Sequence, residues 1–237
     1  MAEMKKLLGA VRRACETYGM IGEGDRIAVG VSGGKDSLAL LVALAEMRRF
    51  YPVSYELSAI TVDLGFPGAD FSPVAELCRG LGVPYTVERT GIARIVFDER
   101  KEENPCSLCA KMRRGAVHGA AKRLGCGKVA FAHHFDDVAE TFLLNLFYEG
   151  RLGVFQPVTR LDRTGITLIR PLIFLEEREI RSFAKRAALP VLPSACPADK
   201  NSEREEMKKL LRELERRWPE LRRRIFTAIR KNHLDGF

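Results

Sequence analysis

The chain has 237 residues, of which 46% are hydrophobic and 30% charged, and 39 Lys and Arg against 31 Asp and Glu give a formal net charge of +8. These values exclude a disordered chain, and because the apolar stretches are too short to cross a bilayer and no secretion signal is visible, we expect a cytoplasmic globular protein with no membrane partner. The positive charge favours a polyanionic partner, although it also fits plain solubility.

Hydrophobic periodicity predicts strands and helices that alternate along most of the chain. A helix over residues 4–18 comes first. Strands are predicted over 26–31, 57–62, 84–88, 128–132 and 167–169. Each is followed by a predicted helix, over 35–48, 71–81, 106–124, 136–148 and 175–187. This alternation is typical of a doubly wound α/β fold, an open parallel sheet with helices on both faces, in which ligands bind beyond the carboxyl ends of the strands.

The last stretch has a different character. Three prolines surround Cys196, and a capping box from Ser202 to Glu205 then predicts a helix, with another after Pro219. We therefore divide the chain into an α/β domain over residues 1–189, which carries a cysteine pair and the loop described next, and a helical C-terminal extension over residues 190–237. The extension is expected to pack on the main domain.

A glycine-rich loop follows the first predicted strand and leads into a helix. Its backbone N–H groups can approach an anion closely, and the positive charge of Lys35 can neutralise phosphate oxygens. It is not a Walker A loop, because three residues rather than four separate Gly30 from Gly34 and Asp36 follows the lysine. The string SGGKDS resembles the PP-loop of the ATP pyrophosphatases, which implies that ATP is cleaved between its α- and β-phosphates to adenylate a substrate. The loop residues are Ser32, Gly33, Gly34, Lys35, Asp36 and Ser37.

Polar residues also follow the second and fourth strands. Asp63 ends the second strand, and His133 and Asp137 lie in a His-His-Phe-Asp-Asp segment after the fourth. Adjacent carboxylates near a nucleotide commonly hold Mg²⁺, so Asp137 is the predicted ligand. Asp63 is expected to position the ion or the ribose, and His133 to lie beside the nucleotide, although a histidine here also fits a packing role.

Two of the six cysteines, Cys106 and Cys109, stand at the start of a predicted helix, where the helix dipole and nearby cations favour thiolates. Alone, such a pair is ambiguous among zinc, iron–sulfur and redox use. The solitary Cys15, Cys78 and Cys126 are predicted to be small core residues.

Several motifs together resemble the tRNA 2-thiocytidine synthetase family: the Pro-Cys-x-x-Cys pair with Arg-Arg-Gly after it, the segment from Ala132 to Thr141, and Ile169-Arg-Pro-Leu172. The resemblance implies that Cys106, Cys109 and Cys196 hold a [4Fe–4S] cluster whose fourth iron is free to take sulfur. It also implies a cytidine of tRNA, in the anticodon loop, as substrate, with ATP and Mg²⁺. Cys196 lacks the second nearby cysteine of some family members, and His118 leaves a Cys₃His zinc site as an alternative.

A basic surface for the tRNA backbone is expected beside the cysteine pair and in the terminal helices, at Lys111, Arg113, Arg114, Arg222, Arg223 and Arg224. Three alternatives stay open: a 2-thiouridine synthetase, a lysidine-forming enzyme, which leaves the cysteine pair unexplained, and a non-catalytic nucleotide- and cluster-binding regulator. The sulfur donor, sulfide or a persulfide-carrying protein, is also open, as is the oligomeric state, with a homodimer as one candidate.

Overall fold

A single mixed sheet organises the protein. The computed structural model describes residues 2–100, 105–193, 195–197 and 203–237. Within these residues six strands pair in the order β3-β2-β1-β4-β6-β5, all parallel except for the antiparallel pair β5–β6. The strands are β1 (Asp25–Gly30), β2 (Tyr55–Asp63), β3 (Tyr85–Arg89), β4 (Lys128–Ala130), β5 (Val158–Leu161) and β6 (Ile166–Ile169).

Helices connect and cover the strands. A π-helical turn over Arg94–Glu99 follows β3, and a 3₁₀ turn over Leu234–Gly236 comes near the C-terminus. The α-helices are α1 (Ala2–Thr17), α2 (Lys35–Met47), α3 (Ser72–Gly80), α4 (Pro105–Arg123), α5 (Phe135–Tyr148), α6 (Glu177–Arg186), α7 (Glu203–Arg217) and α8 (Leu221–Lys231).

Side-chain alternation along β1 shows that both faces of the sheet are covered. Ile27 and Val29 pack into the larger core with α1, α2 and α6, whereas Ala28 between them packs against α4. The helix α2 is apolar on every side and is buried between the sheet and its neighbours, so its leucines each contribute about 1.5–3 kcal/mol of burial free energy. The phosphate loop that precedes α2 is therefore carried on the most deeply buried helix of the protein.

The doubly wound α/β fold with an N-terminal helix and C-terminal helices is confirmed, with one correction: the sheet is not wholly parallel. An additional strand, β5, runs antiparallel at one edge and is joined to β6 by a turn in which Leu161 accepts hydrogen bonds from Thr164 and Gly165. Four residues of mixed polarity after a proline give too weak a pattern to predict such a strand.

The C-terminal helices pack on the outside of α5. Met207 and Leu211 of α7 contact Ala139 and Leu143 of α5, and Phe226 of α8 packs against Phe135 with tilted rings whose centroids are 4.6 Å apart. The predicted cap at Ser202 lies outside the described residues. The division of the chain at residue 190 stays a prediction.

Candidate functional site

The loop between β1 and α2 is shaped by its own side chains. Gly33 has φ of +82°, a conformation that only glycine adopts without strain. Ser37 Oγ donates to the carbonyl of Gly34 over 2.9 Å and accepts from the backbone N–H of Ser32 over 3.1 Å. These bonds hold the loop in a concave turn at the N-terminus of a long helix, which is an anion-binding geometry.

Lys35 lies at the first position of α2 and is held between two carboxylates. Its Nζ is 2.9 Å from Asp36 Oδ2 and 2.9 Å from Glu177 Oε1 of α6. Burial acts to lower the pKa of Lys35, but the two carboxylates outweigh it and raise the pKa. The ammonium group is therefore fully charged and fixed beside the loop. The other carboxylate oxygen of Asp36, Oδ1, is buried without a hydrogen-bond partner in the part of the chain that the structure describes.

Glu177 is a residue that the sequence analysis missed. Besides Lys35 it pairs with Arg181 at 3.0 Å and lies 3.9 Å from Lys208 Nζ. Burial alone would raise its pKa, yet the surrounding cations lower the pKa to about 2. Its backbone N–H also donates to Asp136 Oδ2 over 2.7 Å, so it joins α6 to the start of α5.

The segment that carries Cys196 runs across the phosphate loop. The backbone N–H of Leu192 donates to the carbonyl of Gly33 over 3.0 Å. A Cβ at Gly33 would stand only 2.8 Å from Leu192 Cδ1, so the contact needs a glycine at this position. The third cysteine of the predicted cluster therefore follows the loop contact by only four residues.

Asp63 ends β2, on the other side of β1 from β4. Its Oδ1 accepts a hydrogen bond from the N–H of Gly65 over 2.9 Å, and its side chain lines an open groove of about 580 Å³ with Tyr85 and Arg89. The residue thus lies at the carboxyl end of β2, on the side of the phosphate loop away from His133 and Asp137.

The acidic segment after β4 forms the N-terminus of α5. Asp137 Oδ2 accepts from the N–H of His134 over 2.8 Å, and Asp137 Oδ1 pairs with Arg204 of α7 at 3.2 Å. Burial raises the pKa of Asp137, but His134, His133 and Arg204 outweigh it and lower the pKa. Both oxygens of the predicted Mg²⁺ ligand are therefore engaged within the protein.

Behind Asp137, Glu140 is almost completely buried and pairs with Arg204 at 3.3 Å. Its pKa is raised to about 8, first by burial and then by the charge of Asp137. At neutral pH this carboxyl is mostly protonated.

Cations from the C-terminal helices neutralise the acids around the loop. Arg204 and Lys208 come from α7, and Arg222 of α8 lies 3.4 Å from Asp136 and pairs also with Glu215. No sequence motif marks these cations, because they belong to ordinary amphipathic helices. The helical extension thus completes the surroundings of the phosphate loop.

Cys106 and Cys109 lie in the first turn of α4, where Cys109 is buried. Burial raises the pKa of the Cys109 thiol, Arg113 acts to lower it, and the charges of Cys196 and Cys106 act to raise it. Cys106 and Cys196 thus both lie within electrostatic reach of Cys109, and cysteine thiolates are the ligands by which proteins hold iron–sulfur clusters. Among the described residues no three His, Cys, Asp or Glu side chains are close enough together to hold a metal ion, so neither the Cys₃ nor the Cys₃His set is assembled in this structure.

The remaining cysteines are core residues, as predicted. Cys15, Cys78 and Cys126 are buried, and burial raises the pKa of Cys15 to about 12 and that of Cys78 to about 11. Inert thiols of this kind pack as small apolar side chains.

The predicted RNA-binding residues fall into two groups. Lys111, Arg113 and Arg114 are exposed on α4, as are Arg223 and Arg224 on α8, although Arg223 also pairs with Glu176 at 2.7 Å and with Glu220 at 3.1 Å. Arg222 differs, because only 14% of its side chain is exposed and its guanidinium faces Asp136 and Glu215. Its charge is paired with carboxylates of the protein, so Arg222 does not belong to an RNA-binding surface.

Among the helices described, none is both long and apolar enough to span a membrane.

The family model of the PP-loop domain matches residues 7–214. The chain is 43% identical over 228 residues to the tRNA-cytidine(32) 2-sulfurtransferase of Geobacter sulfurreducens, covering 95% of this chain and 89% of that protein. It is 41% identical over 232 residues to the enzyme of the same name from Pelobacter propionicus, covering 97% and 86%. The chain belongs to the tRNA-cytidine(32) 2-sulfurtransferase family of PP-loop proteins.

A solved structure has the same overall fold as this chain. The U34-tRNA thiolase NcsA from Methanococcus maripaludis, solved with its [4Fe-4S] cluster, superposes with a TM-score of 0.76 over 96% of this chain and 79% of that chain. At 24% identity this likeness concerns the fold.

Proposed function

We propose that this protein is an ATP-dependent tRNA sulfurtransferase that replaces the C2 oxygen of a cytidine in the anticodon loop with sulfur. The observation that supports the proposal is the hydrogen bond from Leu192 to Gly33, because Leu192 precedes Cys196 by four residues and Gly33 belongs to the phosphate loop of a family member. Sulfur delivery and ATP activation then share one site.

The reaction follows from the poor leaving ability of a carbonyl oxygen. The C2 oxygen of cytidine attacks the α-phosphate of ATP, and the bond to the β-phosphate breaks with release of pyrophosphate. Hydrosulfide then attacks C2, the C–O bond breaks, and AMP leaves with the oxygen, while the sulfur loses its proton to solvent. ATP, cytidine and hydrosulfide thus give 2-thiocytidine, AMP and pyrophosphate.

The phosphate loop supports the first step. The N–H groups of Gly33 and Gly34, the hydroxyls of Ser32 and Ser37 and the ammonium of Lys35 would bind the phosphates and stabilise the charge of the leaving pyrophosphate. Asp36 Oδ1, which is buried without a partner among the described residues, would be one oxygen donor for Mg²⁺, and Asp137 would be another once its Oδ1 exchanges Arg204 for the ion. His133 and Asp63 would flank the nucleotide on opposite sides of the loop.

We infer that Cys106, Cys109 and Cys196 hold a [4Fe–4S] cluster, which supplies an iron without a protein ligand that can carry sulfur. The surface formed by Lys111, Arg113, Arg114, Arg223 and Arg224 would follow the tRNA backbone. We place the reaction in the cytoplasm, with sulfide or a persulfide-carrying protein as the sulfur donor, and with a homodimer as an assembly to be tested.

The test is anaerobic turnover of a tRNA transcript with ATP and sulfide, followed by mass spectrometry of the nucleosides. We expect 2-thiocytidine, AMP and pyrophosphate in equal amounts, and no product when the cytidine at the modified position is replaced by uridine. Appearance of 2-thiouridine, or of ADP and phosphate, contradicts the proposal.

A further inference from the structure

Arginine and aromatic side chains gather at the carboxyl ends of β4 and β6. They come from α4, from the residues that follow β4 and β6, and from the loop before β5. We call this group the arginine–aromatic cluster; its members are Arg114, His118, Phe131, His133, Phe155 and Arg170.

Arg170 is buried, with 8% of its surface exposed, but has no carboxylate partner in the part of the chain that the structure describes. Its Nη1 donates to neutral acceptors, the carbonyl of Gln156 and the hydroxyl of Thr159, the latter at 3.0 Å. Its Nε is buried and has no hydrogen-bond partner among the described residues. Burial, with the charge of Arg114 nearby, lowers the pKa of Arg170 to about 10. A buried guanidinium beside a second cation is costly unless an anion joins them.

The rings of the cluster contact one another near this charge, mostly at tilted angles. The His133 ring is 4.9 Å from that of Phe155 and 6.1 Å from that of Phe131, and the Arg170 guanidinium lies 5.1 Å from the Phe155 ring centre. Burial lowers the pKa of His133 to about 4, so the ring is neutral at physiological pH.

Two further polar atoms of the cluster, His118 Nε2 and His133 Nδ1, are buried without a hydrogen-bond partner among the described residues. Buried polar atoms are nearly always bonded, so three unbonded nitrogens in one cluster, with Arg170 Nε, indicate a missing ligand. That ligand has to present both an anion and hydrogen-bonding groups.

We propose that the arginine–aromatic cluster binds one nucleotide of the RNA substrate, with Arg114 and Arg170 at a phosphate and the rings against the base. This rests on the proposed function and names the part of the enzyme that receives the target strand. An unpaired nucleotide fits both the arginines and the aromatic rings of the cluster, because proteins recognise such nucleotides by arginine–phosphate pairs and by stacking of the base on aromatic rings. The cluster is also correctly placed, since Arg114 follows the cysteine pair on α4 and His133 interacts with Asp137.

The first test compares two charge removals on the same helix. Arg114→Ala removes a cation of the cluster, whereas Lys122→Ala removes an exposed cation two turns further along α4. We expect Arg114→Ala to weaken tRNA binding about tenfold at fixed salt and Lys122→Ala to leave it within about twofold, because a charge-assisted contact is lost only in the first. Iron content and melting temperature report that both variants are folded. Equal losses for the two variants overturn the proposal.

The second test separates phosphate from base and RNA from ATP. Wild type should bind an anticodon stem–loop about tenfold less well when the target cytidine is replaced by an abasic nucleotide, since stacking is lost. In Phe155→Leu the abasic replacement should reduce the affinity much less than it does in wild type. Arg170→Lys keeps the charge but loses the planar guanidinium, so it should weaken tRNA binding while it leaves the KM for ATP unchanged. A raised KM for ATP with unchanged tRNA binding assigns the cluster to ATP and overturns the proposal. If wild type makes no thiolated nucleoside, the proposed function fails, while the abasic comparison still decides whether the cluster binds a nucleotide.

Discussion

The N–H of Leu192 donates to the carbonyl of Gly33 across 3.0 Å, and the Leu192 side chain fills the space that a Cβ on Gly33 would need. We expect Gly33→Ala to destabilise the fold by about 1–2 kcal/mol through the positive φ alone and to lower kcat/KM for ATP strongly, because the loop or Leu192 must shift. Thermal melting and pyrophosphate release measure the two effects.

The neighbouring glycine provides the matched control for that variant. Gly34 has φ of −76° and a Cβ there would meet only Ser32 Oγ at 3.4 Å, so Gly34→Ala should leave the melting temperature nearly unchanged. The double variant Gly33→Ala, Leu192→Ala should recover part of the activity, since it removes the clash but not the backbone strain. Equal tolerance of both single variants would show that the contact has no role in activity.

Glu177 is expected to position Lys35. Lys35→Ala should lower turnover by about a hundredfold or more, because it removes a charge beside the phosphates. Glu177→Gln should lower kcat about tenfold with little change in the KM for tRNA, since Lys35 then has only Asp36 to orient it. The control is Arg181→Ala, which removes an exposed partner of Glu177 and should leave kcat nearly unchanged. A Glu177→Gln enzyme with wild-type kcat would contradict this role.

The cysteines should separate into two classes by metal content. Anaerobic wild-type protein should contain about four irons per chain, and Cys106→Ala, Cys109→Ala or Cys196→Ala should each lose most of them. Cys78→Ala and Cys126→Ala remove buried core thiols and should keep the iron. Stoichiometric zinc after anaerobic reconstitution with iron and sulfide would instead favour the alternative site with His118.

Glu140 should make the stability depend on pH. Its pKa of about 8 in the folded protein lies above the ordinary value of 4.5, so across this window the folded state holds a proton that the unfolded chain releases. The free energy of unfolding therefore falls as pH rises from about 5 to 8. Glu140→Gln should flatten this fall and melt at a higher temperature than wild type at pH 8.5, in protein free of nucleotide and divalent cations.

The control for that titration is Glu213→Gln, which changes an exposed carboxylate of α7 and should keep the wild-type pH dependence. A wild-type slope in Glu140→Gln would mean that another group carries the titration.

The exposed basic residues should make the affinity for tRNA depend on the salt concentration. Arg224 has no ion pair among the residues described, so Arg224→Ala should reduce the slope of log affinity for tRNA against log salt by about one unit. Arg216→Ala, an exposed cation of α7, serves as a comparison for general charge effects. Binding that is independent of salt would exclude this surface as an RNA site.

The sequence predicted the parallel core and the loop because both depend on local patterns. The alternation of strands and helices along the chain predicts the parallel sheet, and the glycines of the loop predict its tight turn. Partners such as Glu177 and Arg204 could not be predicted, because their roles arise only when distant helices pack beside the loop. For Arg222 the sequence favoured an exposed RNA-binding role, because a run of arginines on a helix does not show which side chain faces the protein interior.

The cations that neutralise the acidic N-terminus of α5 are synthesised on the ribosome well after α5 itself. Arg204 follows its partner Asp137 by 67 residues, and Arg222 of the last long helix comes later still. At about 5–20 residues per second, a ribosome has the whole of α5 synthesised several seconds before α7 can reach it. During synthesis the sheet can form while its acidic edge lacks counter-charges, so we expect the nascent chain to acquire the finished ATP site only after release of its last helices.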